Sequence, residues 1–171
     1  MKRITIIISV IVVAFAAVLV ACSKDDETST TLKIRLTDNP VAAEEVNVDI
    51  RQVRVNLNDD STSWVDLTTN AGIYNLLGLQ NGVDTLLATG QLTASYVKEI
   101  RFVLGSNNSI KVAGVTYPLI IPSGSESGLK IKVNKQLNVT LDSLLIDFDA
   151  ALSVHQIGTG TYHLKPVLKI K

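Results

Sequence analysis

The chain has 171 residues, of which 46% are hydrophobic, so its length and composition fit one domain with a core of its own. Its 16 Lys and Arg residues equal its 16 Asp and Glu residues in number, which does not favour a nucleic-acid-binding protein. The single cysteine, Cys22, excludes an internal disulfide.

Residues 1–21 are predicted to be a secretory signal peptide. Lys2 and Arg3 precede an uncharged apolar stretch, and small residues stand just before Cys22. Residues 19–22, Leu-Val-Ala-Cys, resemble the lipobox of bacterial lipoproteins, in which a peptidase cuts before a diacylated cysteine. We therefore expect Cys22 to carry palmitate-type acyl chains that anchor the protein to a membrane. The alternative is a single-pass anchor, because residues 4–21 approach the length that spans a bilayer.

Residues 22–31 are predicted to form the lipidated cysteine and a flexible acidic tether. Lys24, Asp25 and Asp26 resemble the export signal that carries Bacteroidota lipoproteins to the outer face of the outer membrane. A solvated tether facing the periplasm would have a similar composition, so that placement is the alternative. We expect a lipid-anchored outer-membrane protein that faces the cell exterior.

Residues 32–171 are predicted to fold as one all-β domain, beginning with two long strands. Leu32, Ile34 and Leu36 alternate with basic residues, which is typical of a half-buried strand. In residues 46–57 the apolar phase shifts by one at Arg51-Gln52, which predicts a β-bulge.

Short strands and tight turns are predicted for the middle of the chain. Residues 64–67 and 73–77 favour strands, and Asn81-Gly82 favours a turn. Residues 92–96 resemble the tyrosine corner of Greek-key sandwiches. Ala113-Gly114 is predicted to turn a hairpin.

Four features are predicted for the C-terminal part. A strand opens at residues 129–133, a turn follows at Asp142-Ser143, and one uninterrupted strand covers residues 144–154. A last hairpin through residues 158–160 places His155 opposite His163 and Ile157 opposite Thr161. Together the short strands indicate a single antiparallel β-sandwich of Greek-key, immunoglobulin-like or transthyretin-like type.

Several segments of the chain together resemble an uncharacterised family of bacterial lipoprotein domains. These segments are LTDNP at 36–40, YNLL at 74–77, NG at 81–82, IRFVLG at 100–105, YPL at 117–119, PSG at 122–124, SGLK at 127–130, DFDA at 147–150 and YHLKPV at 162–167. The resemblance covers residues 32–170. It implies an exported Greek-key or transthyretin-like sandwich, and it implies no activity.

Two groups of residues are candidates for chemistry. His155 and His163 form a predicted cross-strand pair that could bind a metal ion, but two ligands fall short of a structural or catalytic site. Asp147 and Asp149 share one face of a strand, where we expect a solvent-exposed pair or partners for a cross-strand Lys or Arg rather than catalytic acids. We therefore predict no metal, no cofactor and no enzymatic activity.

Other residues are candidates for binding and modification. Ser123, Gly124, Ser125 and Glu126 lie in the longest Gly/Ser stretch, which is either a ligand-binding loop or a flexible connection. Trp64 is expected to fill the core, with stacking on a sugar as the alternative. An Asp-Ser/Thr-apolar pattern that resembles a Bacteroidota O-glycosylation sequon occurs at three residues, Ser61, Thr85 and Ser143.

Two functions remain open from the sequence. The first is a non-enzymatic binding or scaffolding module whose ligand is a glycan, a polymer or a protein. The alternative is a structural subunit of a surface assembly or fibre, which would pair through an edge strand at residues 164–170. Pro166 argues in part against that edge, because it removes one hydrogen-bond donor.

Overall fold

The computed structural model describes residues 29–38, 42–57, 63–93, 96–122, 129–138 and 140–171. Within these ranges the chain forms fourteen strands, one 3-10 helix (Leu76–Leu79) and one helical turn, α1 (Ala150–Ser153). The strands are β1 (Thr30–Thr37), β2 (Glu45–Asn56), β3 (Trp64–Asp66), β4 (Thr68–Thr69), β5 (Gly72–Asn75), β6 (Thr85–Leu92), β7 (Tyr96–Leu104), β8 (Ser109–Val112), β9 (Val115–Ile120), β10 (Leu129–Gln136), β11 (Leu141–Phe148), β12 (Val154–Gly158), β13 (Thr161–Leu164) and β14 (Leu168–Ile170).

The strands form two sheets, so the predicted all-β sandwich is confirmed. In the described part of the chain, the five-stranded sheet has the order β14-β11-β1-β6-β4. The nine-stranded sheet runs β10-β7-β2-β8-β9-β13-β12, with β3 and β5 also paired to β2. Both sheets are mixed rather than purely antiparallel, because β1 pairs with β11, and β9 with β13, in parallel. Among the described residues, no helix has the length and apolar character needed to cross a membrane.

The alternating pattern of β1 builds one side of the core. Leu32, Ile34 and Leu36 are fully buried, as predicted, and they join buried residues of both sheets in one hydrophobic cluster. The strand begins at Thr30, two residues before the boundary that the sequence indicated. Its neighbours β11 and β6 hold Thr31 in register, so Thr30 and Thr31, which the sequence placed in the tether, lie in the first strand.

The predicted bulge in β2 is confirmed. It lies near the end of the segment of β2 that pairs with β7, next to the segment that pairs with β8. The register against β7 shifts between Ile50 and Gln52, which leaves Arg51 exposed. β7 ends opposite Ile50, whereas β8 begins opposite Asn47. The two segments thus line the same edge of β2 and are separated by a loop, residues 105–108.

Two of the predicted tight turns are confirmed. Asn81 and Gly82 have φ values of 58° and 85°, and Ala113 and Gly114 have values of 49° and 77°. Positive φ at both central positions is typical of the turns that join antiparallel strands. The predicted strand at residues 73–77 is shorter, because the 3-10 helix begins at Leu76.

The prediction for residues 137–154 is wrong in two places. Asp142-Ser143 is not a turn, since both residues lie within β11, and Asp142 is buried. The expected strand at residues 144–154 is broken by α1 after Phe148. The Asp149 side chain accepts a hydrogen bond of 3.0 Å from the Leu152 N–H, which caps α1 and favours a helical turn over continued extension.

The last hairpin differs from its predicted register by one residue. His155 pairs with His163 as expected, but Gly158 rather than Ile157 lies opposite Thr161. The extra residue is Ile157, so the hairpin contains a bulge next to its turn. The expected tyrosine corner is only partly described, because residues 94–95 lie outside the described ranges and Tyr96 begins β7.

Candidate functional site

A buried aspartate organises the loop between β7 and β8. The side chain of Asp49 is fully buried and forms an ion pair with the Arg51 guanidinium. Arg51 Nε lies 2.7 Å from Asp49 Oδ1, and Arg51 Nη2 donates a hydrogen bond of 2.7 Å to Asp49 Oδ2. The Asn107 N–H also donates to Asp49 Oδ2 at 3.2 Å. A buried charge needs a partner charge and hydrogen bonds. Asp49 Oδ2 accepts both hydrogen bonds, whereas Oδ1 lies beside the Arg51 guanidinium as an ion pair without accepting a hydrogen bond.

Two further hydrogen bonds tie the same loop to β2, and a third closes the loop on itself. The Gly105 N–H donates to the Asp49 carbonyl at 2.7 Å, and the Asp49 N–H donates to Asn108 Oδ1 at 2.9 Å. Asn108 Nδ2 donates to the Gly105 carbonyl at 2.8 Å. The amide of Asn108 therefore replaces the strand pairing that the bulge interrupts.

Gly105 is required where the loop approaches this ion pair. A Cβ atom at this position would lie 2.1 Å from Asp49 Oδ2 and 2.6 Å from Arg51 Nε. Both distances are far below contact distance, so a larger residue would displace the carboxylate or the guanidinium. Gly105 is the last residue of one of the family-like segments, and its close approach to Asp49 explains why that position suits glycine.

A cleft of about 440 Å³ opens beside this loop, and we call it the β9 cleft. One wall is formed by residues 104–106 and Asn108, and the other by residues 118–121 of β9 and its end. Apart from Ser106 and Asn108, the side chains of these lining residues are apolar or glycine, and none of the lining residues is ionisable. The β9 cleft can therefore hold an apolar or uncharged group, and Ser106 adds a hydroxyl group to its lining.

The predicted ligand loop follows this cleft along the chain. Ser123, Gly124, Ser125 and Glu126 lie outside the described residues, so the prediction is not tested. The described cleft wall ends at Ile121, two residues before Ser123.

A second polar surface covers the outer face of β10, β7, β2 and β3. Lys130, Arg101, Arg54 and Asp66 lie side by side in one row of the sheet register. The adjacent row contains Lys132, Glu99, Asn56 and Trp64. We call these eight residues the Trp64 surface. Four are basic and two are acidic, so the surface has a net positive charge, unlike the chain as a whole.

Trp64 lies on this outer face and not in the core, so the expected core position is wrong. The Arg101 guanidinium carbon lies 4.0 Å from the centre of the indole ring, and Lys130 Nζ lies 5.8 Å from it. Because Arg101 is on the far side of β2 from Trp64, the indole must extend across β2, where Asn56 is buried. Stacking of Trp64 on a sugar remains a prediction.

The predicted acidic pair has a structural role. Asp147 and Asp149 are both buried, so the expectation of a solvent-exposed pair is wrong. The expectation of cross-strand lysine partners is confirmed, since Asp147 Oδ2 lies 3.2 Å from Lys171 Nζ and Asp149 Oδ2 lies 2.8 Å from Lys169 Nζ. The hydrogen bond to Asp149 raises the pKa of Lys169 above its ordinary value.

Asp142 is a third buried acid with several donors. Lys135 Nζ donates to its carboxylate at 2.9 Å, and the backbone N–H groups of Asn138 and Ser143 donate at 2.9 and 2.7 Å. Burial by itself would raise the pKa of Asp142, but these three hydrogen bonds outweigh burial and hold the pKa below its ordinary value. The charged carboxylate thus bridges the end of β10 to the start of β11.

The histidine pair is brought together on β12 and β13, as the register predicted. His155 is exposed and His163 is half-buried. Ser153, which directly precedes β12, is buried in α1, where its hydroxyl accepts a hydrogen bond from the Val167 N–H. Within the described residues, no three His, Cys, Asp or Glu side chains form a group that could hold a metal ion.

Of the remaining predicted residues, some lie outside the described ranges and others lie on strands. Cys22, Lys24, Asp25, Asp26 and Ser61 lie outside the described residues. Thr85 is half-buried at the start of β6, whereas Ser143 is exposed on β11 and not in a turn.

Two candidate features of the site depend on distant contacts and were not predicted from the sequence. The region of Asp49 and the β9 cleft is built from three segments, which are β2, the loop 105–108 and β9. The Trp64 surface combines four strands. The bulge at Arg51 was predicted only as a feature of its own strand. The alternating lysines of β10 are the local signal that could have indicated the second surface.

The fold and these two surfaces define an all-β sandwich domain that offers an open cleft and a cationic sheet face. The chain belongs to the family described as Domain of unknown function (DUF4382), whose family model matches residues 29–166. Searches of curated proteins and of solved structures found no match.

Proposed function

We propose that this protein is a lipid-anchored lipoprotein of the cell envelope whose β-sandwich is a non-enzymatic binding module for a glycan, a polymer or a protein. The proposed anchor is Cys22, with Lys24, Asp25 and Asp26 directing the protein to the outer face of the outer membrane. The observation that carries the binding function is the β9 cleft, which has apolar walls and no ionisable lining residue among those described.

The chemistry of the cleft supports binding over catalysis. General acid–base catalysis and nucleophilic catalysis need a titratable or activated group in contact with the substrate. The nearest buried acid, Asp49, is held by Arg51 and by the Asn107 N–H. The buried Asp147 and Asp149 are engaged with lysines at the end of the other sheet.

A fragment of residues 29–171 is suited to testing this proposal. All fourteen described strands and the whole described core lie within it, and the family model begins at the same residue. The fragment would be immobilised and exposed to envelope fractions and to purified glycans. The proposal predicts that at least one component is retained.

Two exposed apolar residues provide a matched pair of variants. Ile120 lines the cleft and is 46% exposed, whereas Val83 lies in the turn before β6 and is 52% exposed. Ile120→Arg should weaken retention by about tenfold or more, since an apolar contact is replaced by a charge. Val83→Arg adds the same charge elsewhere and should leave retention unchanged. Equal loss in both variants, or no retained component with the parent fragment, would contradict the proposal.

The alternative function is that of a structural subunit that pairs through an edge strand. The edge strands of the structure differ from the expected one at residues 164–170. Residues 164–170 are not one strand, because Leu164 ends β13 in the nine-stranded sheet and only Leu168–Ile170 forms β14 at the edge of the other sheet. β12 is an edge strand longer than β14, and its residues are mostly exposed and include Ile157. Concentration-dependent assembly that is abolished by Ile157→Lys would favour the structural function.

A further inference from the structure

The Trp64 surface presents cations that the fold leaves available. Lys130 and Lys132 are exposed, and neither forms an ion pair within the described part of the chain. Arg54 is paired with Asp66, which fixes one end of the row. Arg101 makes no ion pair with a described residue, and although its Nε is buried without a hydrogen-bond partner there, the side chain as a whole is only half-buried.

Trp64 positions the Arg101 guanidinium. Stacking of a planar guanidinium on an indole ring is favourable and holds the group in one orientation. A guanidinium held in this way still has N–H groups at its edges, and these match the two oxygens of a carboxylate or sulfate group. Lys130 and Arg101 are register neighbours, and Lys132 follows Lys130 on the same face of β10, so three cations lie close together on a rigid sheet.

We propose that the Trp64 surface binds an acidic polysaccharide, with Lys130, Lys132 and Arg101 contacting its carboxylate or sulfate groups and Trp64 acting as a positioning residue for Arg101. The two acidic residues of the surface favour this ligand. Glu99 lies beside Lys132 in one row, and Asp66 lies beside Arg54 at the end of the other. Carboxylate oxygens can accept hydrogen bonds from sugar hydroxyl groups.

The same two carboxylates disfavour the other polyanions. A nucleic-acid backbone or an anionic membrane presents dense negative charge and would be repelled where Glu99 and Asp66 stand. The whole chain also has no net charge, so it lacks the excess of basic residues that is typical of nucleic-acid-binding proteins. The partner that fits is one with separated negative charges and many hydroxyl groups.

The test measures binding of the 29–171 fragment to heparin, to polygalacturonate and to neutral dextran at low and high salt. The parent fragment should bind at least one of the two acidic polymers and not dextran, and the binding should weaken with salt because the contacts are exposed. The double variant Lys130→Ala/Lys132→Ala should bind about tenfold more weakly or worse. Lys165→Ala is the matched control, because Lys165 is exposed and has no ion pair within the described residues.

Trp64→Leu tests the positioning role. It leaves all cations in place but removes the ring beneath Arg101, so we expect a loss of about threefold to tenfold for the acidic polymers. The loss should be smaller in the Arg101→Ala background, since a positioning residue has no effect once its target is absent. Equal losses in both backgrounds would overturn this role.

Double-stranded DNA and vesicles with anionic lipid serve as competing polyanions. If either binds as tightly as the acidic polysaccharides, the assignment to a polysaccharide is overturned. Failure of heparin and polygalacturonate to bind at low salt overturns the inference altogether. It would leave the β9 cleft and the proposed function intact, because envelope components retained through Ile120 do not depend on these cations.

Discussion

Asp38 and Ala150 lie 112 residues apart in the chain, and Asp38 Oδ1 accepts a hydrogen bond of 2.8 Å from the Ala150 N–H. The contact joins the end of β1 to the first residue of α1, and Gln80 Nε2 donates to the other carboxylate oxygen at 3.2 Å. It also unites two of the family-like segments, LTDNP and DFDA, at one end of the five-stranded sheet. Asp38 is 2% exposed, so it acts in the interior of the fold.

Asp38→Ala is expected to destabilise the domain by about 2–3 kcal/mol, because it leaves buried donors without an acceptor. Urea denaturation of the 29–171 fragment would measure the free energy of unfolding. Asp66→Ala is the control, since Asp66 is an exposed partner of Arg54 and its loss should cost about 1 kcal/mol or less. Equal effects of the two substitutions would contradict a structural role for Asp38.

Gly105→Ala is expected to destabilise the domain by about 1–3 kcal/mol or more, because the new Cβ would overlap the Asp49–Arg51 ion pair. Gly72→Ala provides the comparison, since a Cβ at Gly72 meets no atom within 4 Å. That substitution should be neutral or slightly stabilising, as it restricts the unfolded chain. Thermal denaturation of both variants decides the question, and a tolerated Gly105→Ala would show that the loop is not packed against Asp49 in this way.

The stability of the domain should fall in acid partly through Asp142. The pKa of Asp142 in the fold lies below its ordinary value of 3.8, so the unfolded chain binds the proton more readily than the folded chain. The resulting stabilisation is complete above the unfolded-state pKa and is lost as the pH falls through the folded-state pKa. Asp142→Asn should lack this contribution and show a weaker dependence of unfolding free energy on pH in that range.

Lys135→Met tests the cause of that shift. Removing the ammonium group deletes one of the three hydrogen bonds while Asp142 stays buried, so the pKa of Asp142 should rise relative to the parent. Carboxyl titration followed by NMR would measure it. An unchanged value would mean that the backbone N–H groups of Asn138 and Ser143 alone are responsible.

Labelled palmitate should enter the full-length protein in cells through Cys22, and Cys22→Ala should abolish both labelling and recovery in the membrane fraction. Digestion of intact cells with an added protease should then remove the domain, because it is proposed to face the exterior. Survival of the domain would support the periplasm-facing alternative. Labelling that persists in Cys22→Ala would contradict the anchor.

O-glycosylation, if it occurs at the proposed sequons, should favour Ser143 over Thr85. Ser143 is exposed on β11, whereas Thr85 is half-buried in β6. The mass of the intact protein would reveal glycans, and the Ser143→Ala, Thr85→Ala and Ser61→Ala variants would assign them. A full glycan mass retained in all three variants would contradict these sites.

Many of the strands and turns could be predicted from the sequence, because the signal for each lies within a few adjacent residues. Burial of Leu32, Ile34 and Leu36 follows from period-two alternation, and the bulge at Arg51 follows from a phase shift within one strand. The turns at Asn81-Gly82 and Ala113-Gly114 depend only on the backbone freedom of adjacent residues. Each of these features requires no knowledge of what lies across the sheet.

The errors at Asp142, Asp149 and Trp64 share a physical origin, which is that each residue was assigned an environment without knowledge of its tertiary partners. Asp142 was interpreted as a turn residue, yet Lys135 and two backbone N–H groups allow it to be buried in β11. Asp149 was expected in a strand, but it caps α1 and binds Lys169. Trp64 was expected in the core, but the outer face offers it the Arg101 guanidinium.

The amino-acid sequence by itself determined the all-β class, the main strands and turns, and the resemblance to an uncharacterised domain family. Alternation and turn chemistry act over a few residues, so these features need no distant contact. Tertiary structure alone decided that β1 pairs with β11 in parallel, that Gly105 meets Asp49, and that Lys130, Arg101 and Trp64 share one face. These contacts join residues far apart in the chain, and their energies exist only after the strands have been brought into register.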